Sequence, residues 1–427
     1  MLTENRVFIT GYSALTPCGA TAAATWNSIL NGKTGIDLIN NWDVSTWPHC
    51  LGGEIKDFQA SKLIPEKKLI KMISRQDVLG LHVVNTAVLH SGWLDYRNLL
   101  HDSTIFNELT GIYVGSPGNK YFQQYDFLPL LAKTQGNMQQ FAQEIFNSVH
   151  PTWLLRILPN NVLAYTAINY GFKGANHNIT NHAVGSTQAL IEAYHAIKQG
   201  RIERAVIVGY DTGVEPQSLF YYTKLGIISP NDLKPFDKDH DGTILAEGAA
   251  AIILESESSV RARNGQCYAE FLGGAATTEA SGLFAVDGSG VKLARLITHS
   301  MQTVGINPKE IGMIVAHGNG GLKSDISETH ALHAAFANHS TPVTAFKWAF
   351  GHTLVASGII DTVLTIMAMQ DNCIPGISNF NQLAPDCSRI NIRQSHRPWD
   401  SGLNAMIINR GFASMNSCIF LKKVIND

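Results

Sequence analysis

Apolar positions along the chain follow two rhythms. In some stretches they recur at helical spacing. "TAAATWNSILNGKTGI" has them at Trp26, Ile29 and Leu30 and stops at Gly32, and "QDVLGLHVVNTAVLHSGW" reads as a helix closed by Gly92. Other stretches are short continuous apolar runs: "RVFITGYSAL", "TGIYVGSPG", "IERAVIVGYD", "AAAIILE" and "EIGMIVAHGNGG". Runs of this length, bounded by glycine, proline or polar residues, predict strands. These strands are apolar throughout instead of alternating, and helices separate them. That combination predicts a parallel-type sheet covered on both faces.

The pattern also repeats. "AVIVGYDTG" follows a helix in the first half, and "MIVAHGNGG" follows one in the second. Each is an apolar strand ending in glycines and polar residues, where sites form in α/β folds. A layered α/β/α duplication accommodates both. No low-complexity linker separates the halves, and the junction is expected near "ESESSVRARNGQ", residues 255–266.

Composition works mainly by exclusion. The 427 residues are 45% apolar and 15% charged, an ordinary globular mixture, with a formal net charge of −2. Without a basic stripe, neither a nucleic-acid partner nor a polybasic membrane contact is expected. No apolar run reaches membrane-spanning length. "MLTENRVFITGYSALTP" places Glu4 and Arg6 before a short apolar run and reads as a first strand, not a targeting segment. Cys18, Cys50, Cys267, Cys373, Cys387 and Cys418 form no CxxC pair and read as reduced thiols of a cytoplasmic protein.

Four stretches carry candidate chemistry. His317, in "AHGNGGLKSDISE", follows directly on an apolar strand and precedes a glycine-rich turn that allows close approach of a ligand. Asp325 or Ser324 is placed to cap a helix beginning "ISETHALHAAF". His352, in "FKWAFGHTLVASG", stands five residues after Lys347. A lysine in so apolar a segment needs a partner, and Glu328 is the candidate. "KPFDKDHDGTILAEGAAAIILE" reads by composition as a turn-rich loop entering a strand. In "NRGFASMNSCIFLKK", Phe412 stands among small residues before a last strand, in position to cover a pocket. Taken singly, each of these also fits a structural role. No histidine pair has metal-ligand spacing, and no phosphate-cradling glycine loop precedes a helix, so neither metal nor cofactor is expected.

Taken together and in order, these stretches resemble the β-ketoacyl synthases, the condensing enzymes of the thiolase superfamily. "KPFDKDHDGTILAEGAA" resembles the family's "PFDxxRDGFxxGEGA", with His240 in place of its arginine. "AHGNGGLKSDISE" resembles "AHGTGTxxxDxxE", "KWAFGHTLVASG" resembles "KxxxGHxxxAAG", and "NRGFASMN" resembles "xFGFGGTN". The resemblance implies a five-layered α-β-α-β-α fold from two similar halves, residues 1–258 and 259–427. It implies that His317 and His352 match the two histidines that assist decarboxylation of malonyl on an acyl carrier protein. Lys347 matches the family's lysine, with Glu328 as its ion-pair partner. Phe412 matches the gatekeeping aromatic, whose backbone N–H forms an oxyanion hole with that of the nucleophile position. Tyr121, Phe122 and Tyr125, with Phe127, fall where the acyl pocket approaches a partner subunit.

The departure lies in "NHAVGSTQAL", residues 181–190. Where the family has "TACSSG", with the acyl-accepting cysteine, this chain has Asn181, His182, Ala183, Val184, Gly185 and Ser186. A methyl group accepts no acyl chain. His182 and Ser186 are neighbours, but neither stands at the nucleophile position. The resemblance therefore implies a chain-length factor: the non-elongating partner of a cysteine-bearing ketosynthase, of a type II polyketide or aryl-polyene kind, in a heterodimer served by acyl carrier protein. Two alternatives stand beside it. One is a decarboxylase or acyltransferase-like catalyst using the retained His317, His352 and Lys347; the other is an engineered Cys-to-Ala ketosynthase.

Overall fold

The computed structural model describes residues 6–118, 123–337 and 339–424, and the side chains of all of these except 123–126. Among them, ten strands form one hydrogen-bonded sheet. In chain order they are β1 (Val7–Leu15), β2 (Thr110–Gly115), β3 (Asn176–Ile179), β4 (Arg204–Thr212), β5 (Glu247–Ser256), β6 (Ala269–Thr278), β7 (Ile311–Val315), β8 (Val343–Thr344), β9 (Asn404–Gly411) and β10 (Met415–Lys423). Six helices build the covering layers and frame the site: α1 (Arg75–His90), α2 (Gly185–Lys198), α3 (Pro216–Lys224), α4 (Val291–Val304), α5 (Leu322–Phe336) and α6 (Ser357–Gln370).

The spatial order is β8-β7-β9-β10-β6-β1-β5-β4-β2-β3. Read outward from the centre, the first half runs 1-5-4-2-3 and the second 6-10-9-7-8, the same order offset by five. Pairing directions repeat as well. β4 with β2 and β2 with β3 are parallel, as are β9 with β7 and β7 with β8. β5 runs antiparallel to both β1 and β4, and β10 runs antiparallel to both β6 and β9. The fold is therefore a duplicated, thiolase-like α/β architecture, with the two halves joined where β1 pairs with β6.

The sheet is mixed, not parallel as the apolar runs predict. β5 is buried at every position yet antiparallel to its neighbours. Burial on both faces removes alternation whatever the strand direction, so the pattern reports covering layers and not polarity.

Those layers are visible in the packing. α1 covers the outer face of the first half, in a core with Val206, Val208, Ala251 and Ile253. α4 and α5 cover the outer face of the second half, around Ile314, Met406 and Phe420. Between the two halves of the sheet, Leu190 and Ile197 of α2 and Ile359, Val363 and Ile366 of α6 share one core with strands of both halves. That gives five layers, alternating α and β. The central layer is tight. A Cβ on Gly358 of α6 would come within 2.3 Å of Thr187 Cγ2 of α2, and one on Gly209 of β4 within 2.6 Å of Ser186 Cβ.

Candidate active site

Each central helix is entered through the same bend. After β3, a 3₁₀ turn over His182–Val184 leads into α2, and a 3₁₀ turn over Leu354–Ala356 leads into α6. The first residue of each turn has a left-handed backbone: φ is 47° at His182 and 46° at Leu354. Neither is glycine, so each conformation is held by its surroundings against an intrinsic cost. The bend delivers the next residue to the helix start with its N–H near the helix N-terminus. At the first bend that residue is Ala183, fully buried. The position suits a nucleophile, and its side chain is a methyl.

His182, just before it, takes up the neighbouring polar groups. Its Nδ1 accepts a hydrogen bond from the backbone N–H of Phe412 at 3.3 Å, and its Nε2 lies 2.7 Å from the hydroxyl of Tyr222 on α3. With Nδ1 accepting, the neutral ring carries its proton on Nε2 and donates to Tyr222. The imidazole stacks on the Phe412 ring at a centroid distance of 4.4 Å. Burial pulls its pKa down to about 4, so it is neutral at pH 7. The sequence did carry a signal for this residue: the family's "TACSSG" has alanine where His182 stands, and a ring in place of a methyl must fill space near position 183.

His317 and His352 meet as expected. Their rings are edge to face at 5.2 Å, and both are buried. Burial first, then the charge of Lys347, holds both well below the ordinary histidine value. His317 Nδ1 accepts the backbone N–H of Arg410 at 3.3 Å, which leaves Nε2–H as its donor. His352 Nδ1 is buried without a hydrogen-bond partner among the described residues.

Lys347 is not paired with Glu328. Its Nζ donates to Asp361 on α6 at 3.0 Å, and both side chains are fully buried. Burial raises the Asp361 pKa and Lys347 pulls it back down. Glu328 on α5 instead accepts the backbone N–H of His317 at 2.7 Å and of Gly318 at 3.1 Å. Burial lifts its pKa to about 7. It pins the glycine turn that carries His317, a task for an acceptor with two oxygens and not for a counter-ion. The expected Asp325 or Ser324 cap is also displaced. α5 begins at Leu322 after Gly321, and buried Asp325 turns inward to accept the N–H of Phe236 at 2.8 Å and bond His240 Nδ1 at 3.0 Å. His240 thus takes the arginine's place in the "PFD" stretch.

Arg410 has no motif signal of its own, although it replaces the first phenylalanine of "xFGFGGTN". It is buried and its guanidinium reaches Glu279 at 3.0 Å, with further bonds to Ser327 and the carbonyl of Ser324. Tyr121 and Phe122 lie outside the described residues, as does the side chain of Tyr125. Phe127 packs edge to face on Trp153 at 5.2 Å and Phe141 at 6.4 Å.

Two cavities share a wall made of His182, Tyr222 and Phe412. One, of about 370 Å³, is lined also by His317, His352 and Arg410. The other, of about 560 Å³, is lined also by Leu354, Val355, Gln76, Asp211 and Glu215. Among the described residues, no cluster of three or more potential ligands is arranged for a metal ion. Chemically, the first cavity offers neutral imidazole N–H donors to a polarised carbonyl. It offers no thiol or hydroxyl at the bend to bond one covalently.

Comparison with known proteins agrees with this geometry. The chain matches the "Beta-ketoacyl synthase, N-terminal domain" over residues 4–259 and the "Beta-ketoacyl synthase, C-terminal domain" over residues 268–381. It is 28% identical over 401 residues to a 3-oxoacyl-[acyl-carrier-protein] synthase 2 of Synechocystis, covering 90% of each chain. To the enzyme of the same name from Staphylococcus aureus it is 25% identical over 430 residues, covering 99% of each. Among solved structures, the ishigamide ketosynthase/chain length factor superposes with a TM-score of 0.87 at 20% identity, over 99% of this chain and all of that one. A type II PKS ketosynthase, bound to its acyl-carrier protein and a hexaketide, superposes at 0.81 with 22% identity, again over 99% of this chain and all of that one. With both family domains matched across most of its length, the chain belongs to the β-ketoacyl synthase family.

Proposed function

We propose that this chain is the non-elongating subunit of a ketosynthase heterodimer, of chain-length-factor type, shaping the pocket in which an acyl chain on acyl carrier protein is extended by a cysteine-bearing partner. One observation carries the reading: the bend that presents a nucleophile ends in the methyl of Ala183, and the Phe412 N–H beside it already donates to His182 Nδ1. Both the covalent acceptor and one half of the oxyanion hole are therefore withdrawn from condensation.

Two further features support a partner. β3 is the last strand of its half, with one edge unpaired among the described residues. The helix Asn161–Tyr170 packs beside it and exposes Ile168, and Phe146, Leu154 and Leu155 of the preceding helices are also exposed. An open strand edge beside exposed apolar side chains is a surface that needs covering.

Co-expression with a cysteine-bearing ketosynthase of the same organism tests the proposal. A stable complex with the mass of one copy of each chain is expected, with elongation lost when the partner's cysteine is replaced. A homodimer of this chain as the sole product, with both chains present, overturns it.

A second reading is favoured by the retained pair His317 and His352, both neutral and lining one cavity. It is decarboxylation of malonyl carried by acyl carrier protein. Carbon dioxide release from the isolated chain, abolished in H317A, supports that reading; release at the level of H317A removes it.

A further inference from the structure

The larger cavity is mostly apolar, as suits an acyl chain, but part of its lining is polar. Gln76, near the start of α1, is 4% exposed and lines it. Its Oε1 accepts the hydroxyl of Thr212 at 3.2 Å, whereas its Nε2 is buried with no hydrogen-bond partner among the described residues. Turning the amide over would only exchange which of its two atoms is left over. A buried amide N–H without an acceptor is costly, and such groups in native proteins call for an explanation.

The neighbours are also polar. Thr212 Oγ1 lies 3.1 Å from Glu215 Oε1 as well as 3.2 Å from Gln76 Oε1. One hydroxyl proton cannot serve two acceptors, unless Glu215 brings a proton of its own. Burial lifts the pKa of Glu215 to about 7, which makes that protonated form accessible at neutral pH. Asp211 accepts the N–H of Thr212 at 2.8 Å and that of Val355 at 3.4 Å, and burial lifts it likewise to about 7. Ser218 and Lys224 line the same cavity. A pocket built for a methyl terminus has no use for this group of amide, hydroxyl and carboxyl.

We infer that the larger cavity receives an acyl chain whose far end carries a hydroxyl or carbonyl oxygen, and that Gln76 Nε2 donates to that oxygen. The inference rests on the proposed role of the chain as a pocket-forming ketosynthase subunit and adds the class of substrate. A site built around a hydrogen bond rejects the analogue that lacks it, because the protein group is then left unmet.

The test compares two thioesters of equal length, 8-hydroxyoctanoyl-pantetheine and nonanoyl-pantetheine, titrated into the full chain by calorimetry at pH 7. The hydroxylated ligand is expected to bind about tenfold more tightly. Q76L keeps the volume and removes the donor, and it should abolish the preference. E215Q provides a second variant that leaves Gln76 in place and should reduce the preference. Equal binding of the two ligands, binding of neither, or an unchanged preference in Q76L overturns the inference. The outcome separates from that of the subunit proposal. A heterodimer with no preference removes only the polar-end reading, and a preference without a heterodimer removes only the subunit role.

Discussion

The two bends that open α2 and α6 share a backbone and differ in what they present. Each has a left-handed first residue, a 3₁₀ turn and a helix of 14 residues. At the second bend, Leu354 and Val355 face the larger cavity, and α6 carries Asp361 to the buried Lys347. At the first, Ala183 stands where the family has its reactive cysteine, with His182 in place of an alanine before it. The duplicated scaffold thus holds the same strained geometry twice, once with no chemistry at all. A left-handed bend here is a property of the layers around it, and the presence of the bend alone says nothing about reactivity.

The largest effect should come from the second bend. K347M leaves Asp361 buried without its counter-ion, so urea denaturation should show a loss of about 3–5 kcal/mol. A loss below 1 kcal/mol would mean that the pair is hydrated and the second bend is looser than the first.

The first bend should respond to pH. In the folded chain His182 stays neutral down to about pH 4, whereas the unfolded chain takes up its proton below about 6.5. Between those values the unfolded state binds more protons, so this group lowers stability as pH falls, by at most about 1.4 kcal/mol per unit. H182F lacks that slope. The stability difference, wild type minus H182F, should therefore drop by up to about 3 kcal/mol from pH 6.5 to pH 4. A difference that does not change with pH would place the ring in solvent.

Where the two helices touch, G358A should cost about 1–3 kcal/mol by overpacking against Thr187. The smallest stability effect is expected for A183C, within about 1 kcal/mol. Its readout is chemical: incubation with an acyl-pantetheine should give no stable thioester by intact mass, because His182 still holds the Phe412 N–H. H182A/A183C should acylate. Acylation of A183C alone would show that the sulfur is the single missing part, as in an engineered ketosynthase.

Local residue order disclosed a good deal of this. The apolar runs located the strands, and the motif order brought His317, His352 and Phe412 around one cavity. What stayed hidden depended on distance through space. Asp361 lies in the apolar helix sequence "SGIIDTVLTIMAMQ", and no spacing rule links it to Lys347 across the intervening bend. Glu328 sits in the family's motif but spends both oxygens on backbone N–H groups, a bond that side-chain patterns do not register. The Gln76 amide has the pattern of an ordinary first-turn helix residue. Its importance comes from Thr212 and Glu215, more than a hundred residues away.

The contact between Gly358 and Thr187, with that between Gly209 and Ser186, leaves no slack between the helix starts and what lies against them. Close-packed interiors transmit strain and do not absorb it. A side chain added at either contact would therefore press directly on the neighbouring element. With a methyl at residue 183 the scaffold still keeps this close packing between its two helix starts.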